Sequence, residues 1–79
     1  MDIKLASEYS INNREQIKAS EKAGCYCCLS IFSPKDINKY CDNGMTALCP
    51  KCGIDSVIGS KSGYSINLEI LQKMHHYWF

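Results

Sequence analysis

Two Cys-x2-Cys pairs lie in a chain of 79 residues, and the last third of the chain repeats apolar residues at helical spacing. Together these features predict a small α+β domain closed around a metal ion. A chain of this length buries only about 60% of the surface its unfolded form exposes. An apolar core alone is marginal at that size, and a metal or disulfide commonly supplements it. The hydrophobic fraction of 46% and charged fraction of 22% are those of a globular protein. No apolar run approaches the ~20 residues of a membrane span. The opening Met1-Asp2-Ile3-Lys4-Leu5 lacks the basic and apolar regions of a signal peptide, so a cytoplasmic location is expected.

Six cysteines admit two chemistries, a disulfide framework or a metal site, and their spacing favours the second. Cys25 and Cys28 form one pair and Cys49 and Cys52 the other, with twenty residues between them. That matches a four-cysteine zinc site, in which zinc takes four sulfurs at tetrahedral corners. Two cysteines three apart fit a tight turn whose backbone amides donate to the thiolates. Gly53 allows the positive φ that closes such a turn, and Pro50 stiffens it. The expected ligands are therefore Cys25, Cys28, Cys49 and Cys52, holding one structural Zn2+. Cys27 competes with its neighbours as a ligand on position alone, but the two-residue gap favours Cys25 and Cys28. Cys27 and Cys41 are read as small, partly buried fillers.

The remaining elements follow in chain order within a single domain, 1–79. Residues 1–10 read as an arm, with Ile3 and Leu5 alternating with polar residues in the manner of a short docking strand. Asn12 and Glu15 fit a capping box, so a helix is expected over 12–23 with Gly24 as its stop. Residues 25–58 carry the knuckles and short strands at 29–32, 46–48 and 56–58. Between them, Ser33-Pro34-Lys35-Asp36 spells a helix start, with the helix ending near Cys41. Asp42-Asn43-Gly44 is a turn. A C-terminal amphipathic helix is expected over 67–78, capped by Ser65 or Asn67. Leu68, Leu71, Met74, His75 and Trp78 line one side, Ile70 and Tyr77 widen it, and Glu69, Gln72, Lys73 and His76 form its wet face. The fold class is thus a zinc ribbon or treble-clef-like knuckle pair flanked by N- and C-terminal helices.

The block Thr46-Ala47-Leu48-Cys49-Pro50-Lys51-Cys52-Gly53-Ile54-Asp55-Ser56-Val57-Ile58-Gly59 follows a Gly-Cys-x-x-Cys segment and precedes a Met-x-x-x-Trp-Phe end. In this it resembles a family of small bacterial and phage-borne cytoplasmic zinc-ribbon or treble-clef-like proteins with no assigned activity. The resemblance covers residues 13–79. It implies Cys25, Cys28, Cys49 and Cys52 as the shared ligands and gives no role to Cys27 or Cys41.

No catalytic constellation accompanies the cysteines. His75 and His76 are adjacent, so on a helix they point about 100° apart and do not converge. No histidine precedes position 75, which argues against a treble-clef nuclease. A site closed by four sulfurs leaves no position for water or substrate. The protein is therefore expected not to be an enzyme. A thiol redox protein would need a Cys-x-x-Cys at a helix start in a βαβ setting, and none is spelled out. Asp55 and Ser56 are read as a turn that orients Cys52.

Nine basic and eight acidic residues are interspersed, with a net charge of +1. Four thiolates remove four charges and a zinc ion restores two, so the loaded protein would stand at −1. No basic stripe is visible, although Lys18, Lys22, Lys35, Lys39, Lys51 and Lys61 could gather on one surface for a nucleic acid. Tyr77, Trp78 and Phe79 at the end of the last helix point instead to a protein partner or self-association. The leading expectation is a zinc-stabilised interaction module acting on a host or partner protein, with a nucleic-acid-binding ribbon as the alternative.

Overall fold

The computed structural model describes residues 3–79. It has three helices, α1 (Ile3–Ser7), α2 (Arg14–Ala19) and α3 (Leu68–Trp78). Five short strands are β1 (Ala23–Cys25), β2 (Ile31–Phe32), β3 (Tyr40–Cys41), β4 (Thr46–Ala47) and β5 (Val57–Gly59). They form two antiparallel sheets, a three-stranded one ordered β2-β1-β5 and the β3-β4 hairpin.

The three-stranded sheet is covered on both faces. Ala23, Cys25 and Val57 point into one apolar cluster with Ile17, Phe32, Ile37, Ala47 and Cys49. Ile58 points the other way, into a second cluster with Ala6, Tyr26, Ile66, Ile70, Leu71 and Met74. Successive side chains of a strand alternate faces, so adjacent Val57 and Ile58 serve different cores. Gly24 sits mid-strand on the second face. A Cβ there would lie 2.9 Å from Cδ1 of Leu71 and 3.0 Å from Cγ2 of Ile66, so glycine is what lets α3 seat on the sheet.

This placement corrects the expected helix over 12–23. The chain turns extended at Ser20 (ψ 149°), and residues 23–25 pair with both β2 and β5 as the central strand. The ladder bonds on two sides outweigh the helical propensity of Glu21-Lys22-Ala23. Gly24 is therefore a packing glycine and not a helix stop. The capping box of Asn12 and Glu15 also fails: the helix begins at Arg14, so the flanking position falls to Asn13, which makes no side-chain cap bond. Its amide is instead buried, donating to the carbonyls of Tyr9 (2.9 Å) and Val57 (2.8 Å) and accepting from the amide of Ala47 (3.0 Å).

The expected docking strand near the N-terminus is also replaced. Residues 3–7 are helical and continue into a 3-10 turn over 8–10, with Ala6 fully buried. Met1 and Asp2 lie outside the described residues. Ser33 caps as expected, accepting from the amide of Lys35 at 3.2 Å, but only one 3-10 turn follows, over Pro34–Asp36. Tyr40 and Cys41 are needed as a strand opposite Ala47 and Thr46. The intervening Asp42, Asn43 and Gly44 take φ of 53°, 60° and 83°, the left-handed turn their residue types favour.

In α3, Asn67 caps through Oδ1, which accepts from the amide of Ile70 at 2.9 Å. The buried face is Ile70, Leu71 and Met74. Leu68 and Trp78, expected on that face, are half exposed, because α3 crosses the sheet with only its middle turns over Gly24 and Ile58. Among the described residues no helix is long and apolar enough to cross a membrane.

Candidate metal centre

The first knuckle begins at the end of β1, where the sheet fixes Cys25. The second begins just after β4, where the hairpin delivers Cys49. Each then runs through the same local bonds. The amide of Leu29 donates to the carbonyl of Cys25 at 2.9 Å, and the amide of Gly53 donates to that of Cys49 at 2.9 Å. The amide of Cys25 donates to Ser30 (2.9 Å) and that of Cys49 to Ile54 (3.0 Å). Leu29 and Gly53 occupy equivalent places, at φ of 65° and 77°. In each pair the first cysteine is buried and the second exposed. Residues 25–30 and 49–54 are thus two copies of one turn, facing each other.

The four sulfurs converge. Sγ of Cys25 is 3.6 Å from that of Cys52, Sγ of Cys28 is 3.6 Å from that of Cys49, and all four lie within 4.8 Å of one another. A tetrahedral ion with metal–sulfur bonds of about 2.3 Å has sulfur–sulfur edges of about 3.8 Å, close to both short separations. All six cysteines are free thiols. Backbone amides already point at the sulfurs: Cys27 to Cys25 at 3.3 Å, and Lys51 and Cys52 to Cys49 at 3.3 and 3.4 Å. Donors so placed stabilise thiolate charge. The donor set and its spacing fit one soft, tetrahedral divalent ion.

Without a cation two of the four thiols, Cys25 and Cys52, resist ionisation. Burial pushes the Cys25 thiol up, partly offset by its hydrogen bond with Ser56, and burial with the neighbouring sulfurs of Cys25 and Cys49 pushes Cys52 up further. Burial opposes ionisation of Cys28 too, but hydrogen bonds with Ser30 and the neighbouring sulfurs outweigh it and bring that thiol to about 7. A bound cation supplies the positive charge that four adjoining thiolates require.

Cys27 and Cys41 stand outside the cluster, both half-buried, with Cys27 packed against the first core. Ser56 serves a different cysteine from the one expected: its Oγ lies 3.0 Å from Sγ of Cys25, while Asp55 is exposed. Nδ1 of His75 lies 3.0 Å from the carbonyl oxygen of Tyr26, inside the first knuckle, so Nδ1 carries the proton and donates. The ring also stacks on Phe79 at 5.3 Å, while His76 is exposed. The last helix is thus tied to the knuckle through a contact that nothing in the local sequence announces.

Gly53 offers a clean test of the turn. An added Cβ would meet no atom within 4 Å, so Gly53→Ala is opposed only by its φ of 77°. The expected penalty is about 1 kcal/mol, or roughly fivefold weaker metal affinity. Competition against a chromophoric chelator measures it, and unchanged affinity would mean the turn relaxes freely.

The fold and site define a small α+β protein with a four-cysteine candidate metal centre. Comparison with protein-family models, with curated proteins and with solved structures finds no match.

Proposed function

We propose that Cys25, Cys28, Cys49 and Cys52 hold one structural zinc in a zinc-ribbon or treble-clef-like arrangement, and that the domain is a non-enzymatic module that docks on a protein partner. Support for the metal comes from the sulfur spacing. Zinc suits it best because four thiolates are a soft set and zinc imposes no geometry beyond the tetrahedron. Elemental analysis is expected to return one zinc per chain in colourless protein. Iron with visible absorption, or folded protein without metal, would overturn the assignment.

The observation that carries the docking role is the aromatic end of α3. Tyr77, Trp78 and Phe79 are 54%, 48% and 63% exposed, and Tyr77 and Trp78 meet edge to face at 4.9 Å. Aromatic residues left in water at one end of a helix are the kind that dominate binding energy at interfaces. The resemblance to small bacterial and phage-borne proteins agrees with a cytoplasmic host protein as partner. The metal has a structural part in this reading: with four sulfur ligands it offers no site for substrate and keeps the first knuckle in place beneath α3.

Affinity capture from host lysate with metal-replete protein as bait tests the role. Trp78→Ala is expected to lose most of the captured partner while keeping metal content and fold, since truncating an interface tryptophan typically costs on the order of 2 kcal/mol or more. Equal recovery by both baits would remove the aromatic end from the interface. Steeply salt-dependent gel shifts would favour the nucleic-acid alternative.

A further inference from the structure

A cleft of about 310 Å³ opens where α1 and the turn after it meet the first knuckle and the end of α3. Tyr26, Trp78 and Ile11 line it, together with the acidic residues Glu8 and Asp55 and the basic Lys4. The Tyr26 hydroxyl is already engaged with Ser10 at 3.1 Å, so the ring is positioned and its polar group is satisfied. The two carboxylates have no such engagement. Among the described residues the one ion pair is Lys73 with Glu69, and no hydrogen bond reaches the side chain of Glu8 or Asp55. Lys4 lies beyond ion-pair distance of both, and the cleft keeps a net negative charge.

The half-exposed ring of Trp78 beside two unpaired carboxylates matches the chemistry of a guanidinium, while Tyr26, 8% exposed, offers little of its ring. Arginine stacks on tryptophan and tyrosine rings, gains cation–π attraction there, and donates paired, charge-assisted hydrogen bonds to carboxylates. The volume is at the lower end of the range for small-molecule pockets, which suits one long side chain better than a larger ligand. We propose that this cleft receives an arginine side chain of the protein partner. The inference rests on the reading of this domain as a protein-docking module and names the chemistry its partner must present. Tyr26 lies between two knuckle cysteines and Asp55 three residues after Cys52, so the cleft is assembled only when both knuckles are closed. Arginine binding therefore requires the metal-loaded protein.

Trp78 is the single tryptophan of the chain, which makes its fluorescence and indole N–H signal direct reporters. The metal-replete protein is titrated with N-acetyl-arginine methylamide, its neutral isostere N-acetyl-citrulline methylamide, and the lysine analogue. The arginine compound is expected to shift Trp78 and Tyr26 saturably, with a Kd on the order of 1 mM, or about −4 kcal/mol. Glu8→Gln and Asp55→Asn are each expected to weaken it at least fivefold while leaving the amide spectrum otherwise native. Lys4→Gln should tighten it or leave it unchanged. The proposal is overturned by equal binding of the citrulline or lysine compound, by indifference of both carboxylate variants, or by no saturable shift well above millimolar concentration. If Trp78→Ala abolishes partner capture yet arginine does not bind, the docking reading stands and the arginine assignment fails. If arginine binds yet capture ignores Trp78, the cleft stands and the aromatic interface fails.

Discussion

Cys49→Ser is expected to abolish metal retention and leave the chain unfolded or molten at room temperature. Cys49 is 3% exposed, belongs to the first apolar cluster, and receives two backbone amide bonds at its sulfur. Serine is a poor ligand for a soft ion and would bury a hydroxyl in a site built for a thiolate. Structural zinc contributes on the order of 10–16 kcal/mol of apparent free energy in comparable small domains, against a typical total stability of 5–15 kcal/mol. Losing most of that contribution cannot be absorbed by two small cores. Cys25→Ser should behave alike, because Cys25 is fully buried and also anchors Ser56. Cys28 and Cys52 are exposed, so their serine variants should keep a weaker, three-sulfur site completed by water. Cys27→Ser and Cys41→Ser should retain one metal per chain. Circular dichroism with metal analysis across the six variants measures this order. A folded, native-like Cys49→Ser protein would disprove metal-dependent folding.

Asn13→Ala is expected to cost about 3 kcal/mol with the metal site kept saturated. The side chain of Asn13 is 3% exposed and satisfies three backbone groups on separate segments: Tyr9 before α2, Ala47 in the hairpin and Val57 in the central sheet. Truncation strands the carbonyl of Val57 and the amide of Ala47 away from water, at about 1–3 kcal/mol for each orphaned group. Only one orientation of the amide satisfies all three partners, with Nδ2 toward the two carbonyls and Oδ1 toward the amide. Asn13→Asp should therefore be worse than Asn13→Ala, since it sets a carboxylate against two carbonyl oxygens. Urea denaturation of metal-replete proteins checks both, and a loss below 1 kcal/mol for alanine would show that water or a rearrangement replaces the bridge.

The juxtaposed cysteines were legible because a knuckle is a local object. Residue spacing, a following glycine and a proline determine which way two sulfurs three apart can point. The duplicated turns at 25–30 and 49–54 carry that local determination, and the left-handed position after the second pair holds the glycine its conformation favours. The same φ at Leu29 carries no such signal, because tertiary contacts hold a leucine there against its preference. The C-terminal helix was legible for the same reason, with its cap narrowed to Ser65 or Asn67, as was the turn at Asp42-Asn43-Gly44.

The misread segments share a cause. Strands of two or three residues are too short to show alternation, so Ala23-Gly24 reads like the end and stop of a helix and Tyr40-Cys41 like the end of another. Asn12 reads as a cap because a polar residue before a helix usually is one, and Asn13 then reads as an ordinary first-turn residue. The role of Asn13 as a three-way bridge depends on residues 34 and 44 positions away.

Local sequence alone determined the paired cysteine turns, the span of the last helix with its cap narrowed to Ser65 or Asn67, and the lack of a histidine within either cysteine turn. Tertiary structure decided that β1 runs through the middle of the sheet, that Gly24 makes room for Leu71, that Asn13 ties three segments together, and that Trp78 stays half in water beside a cleft. The physical reason is range. Turn geometry and helical periodicity are set by neighbours within a few residues, whereas burial, strand pairing and the satisfaction of a buried amide depend on which distant segments arrive.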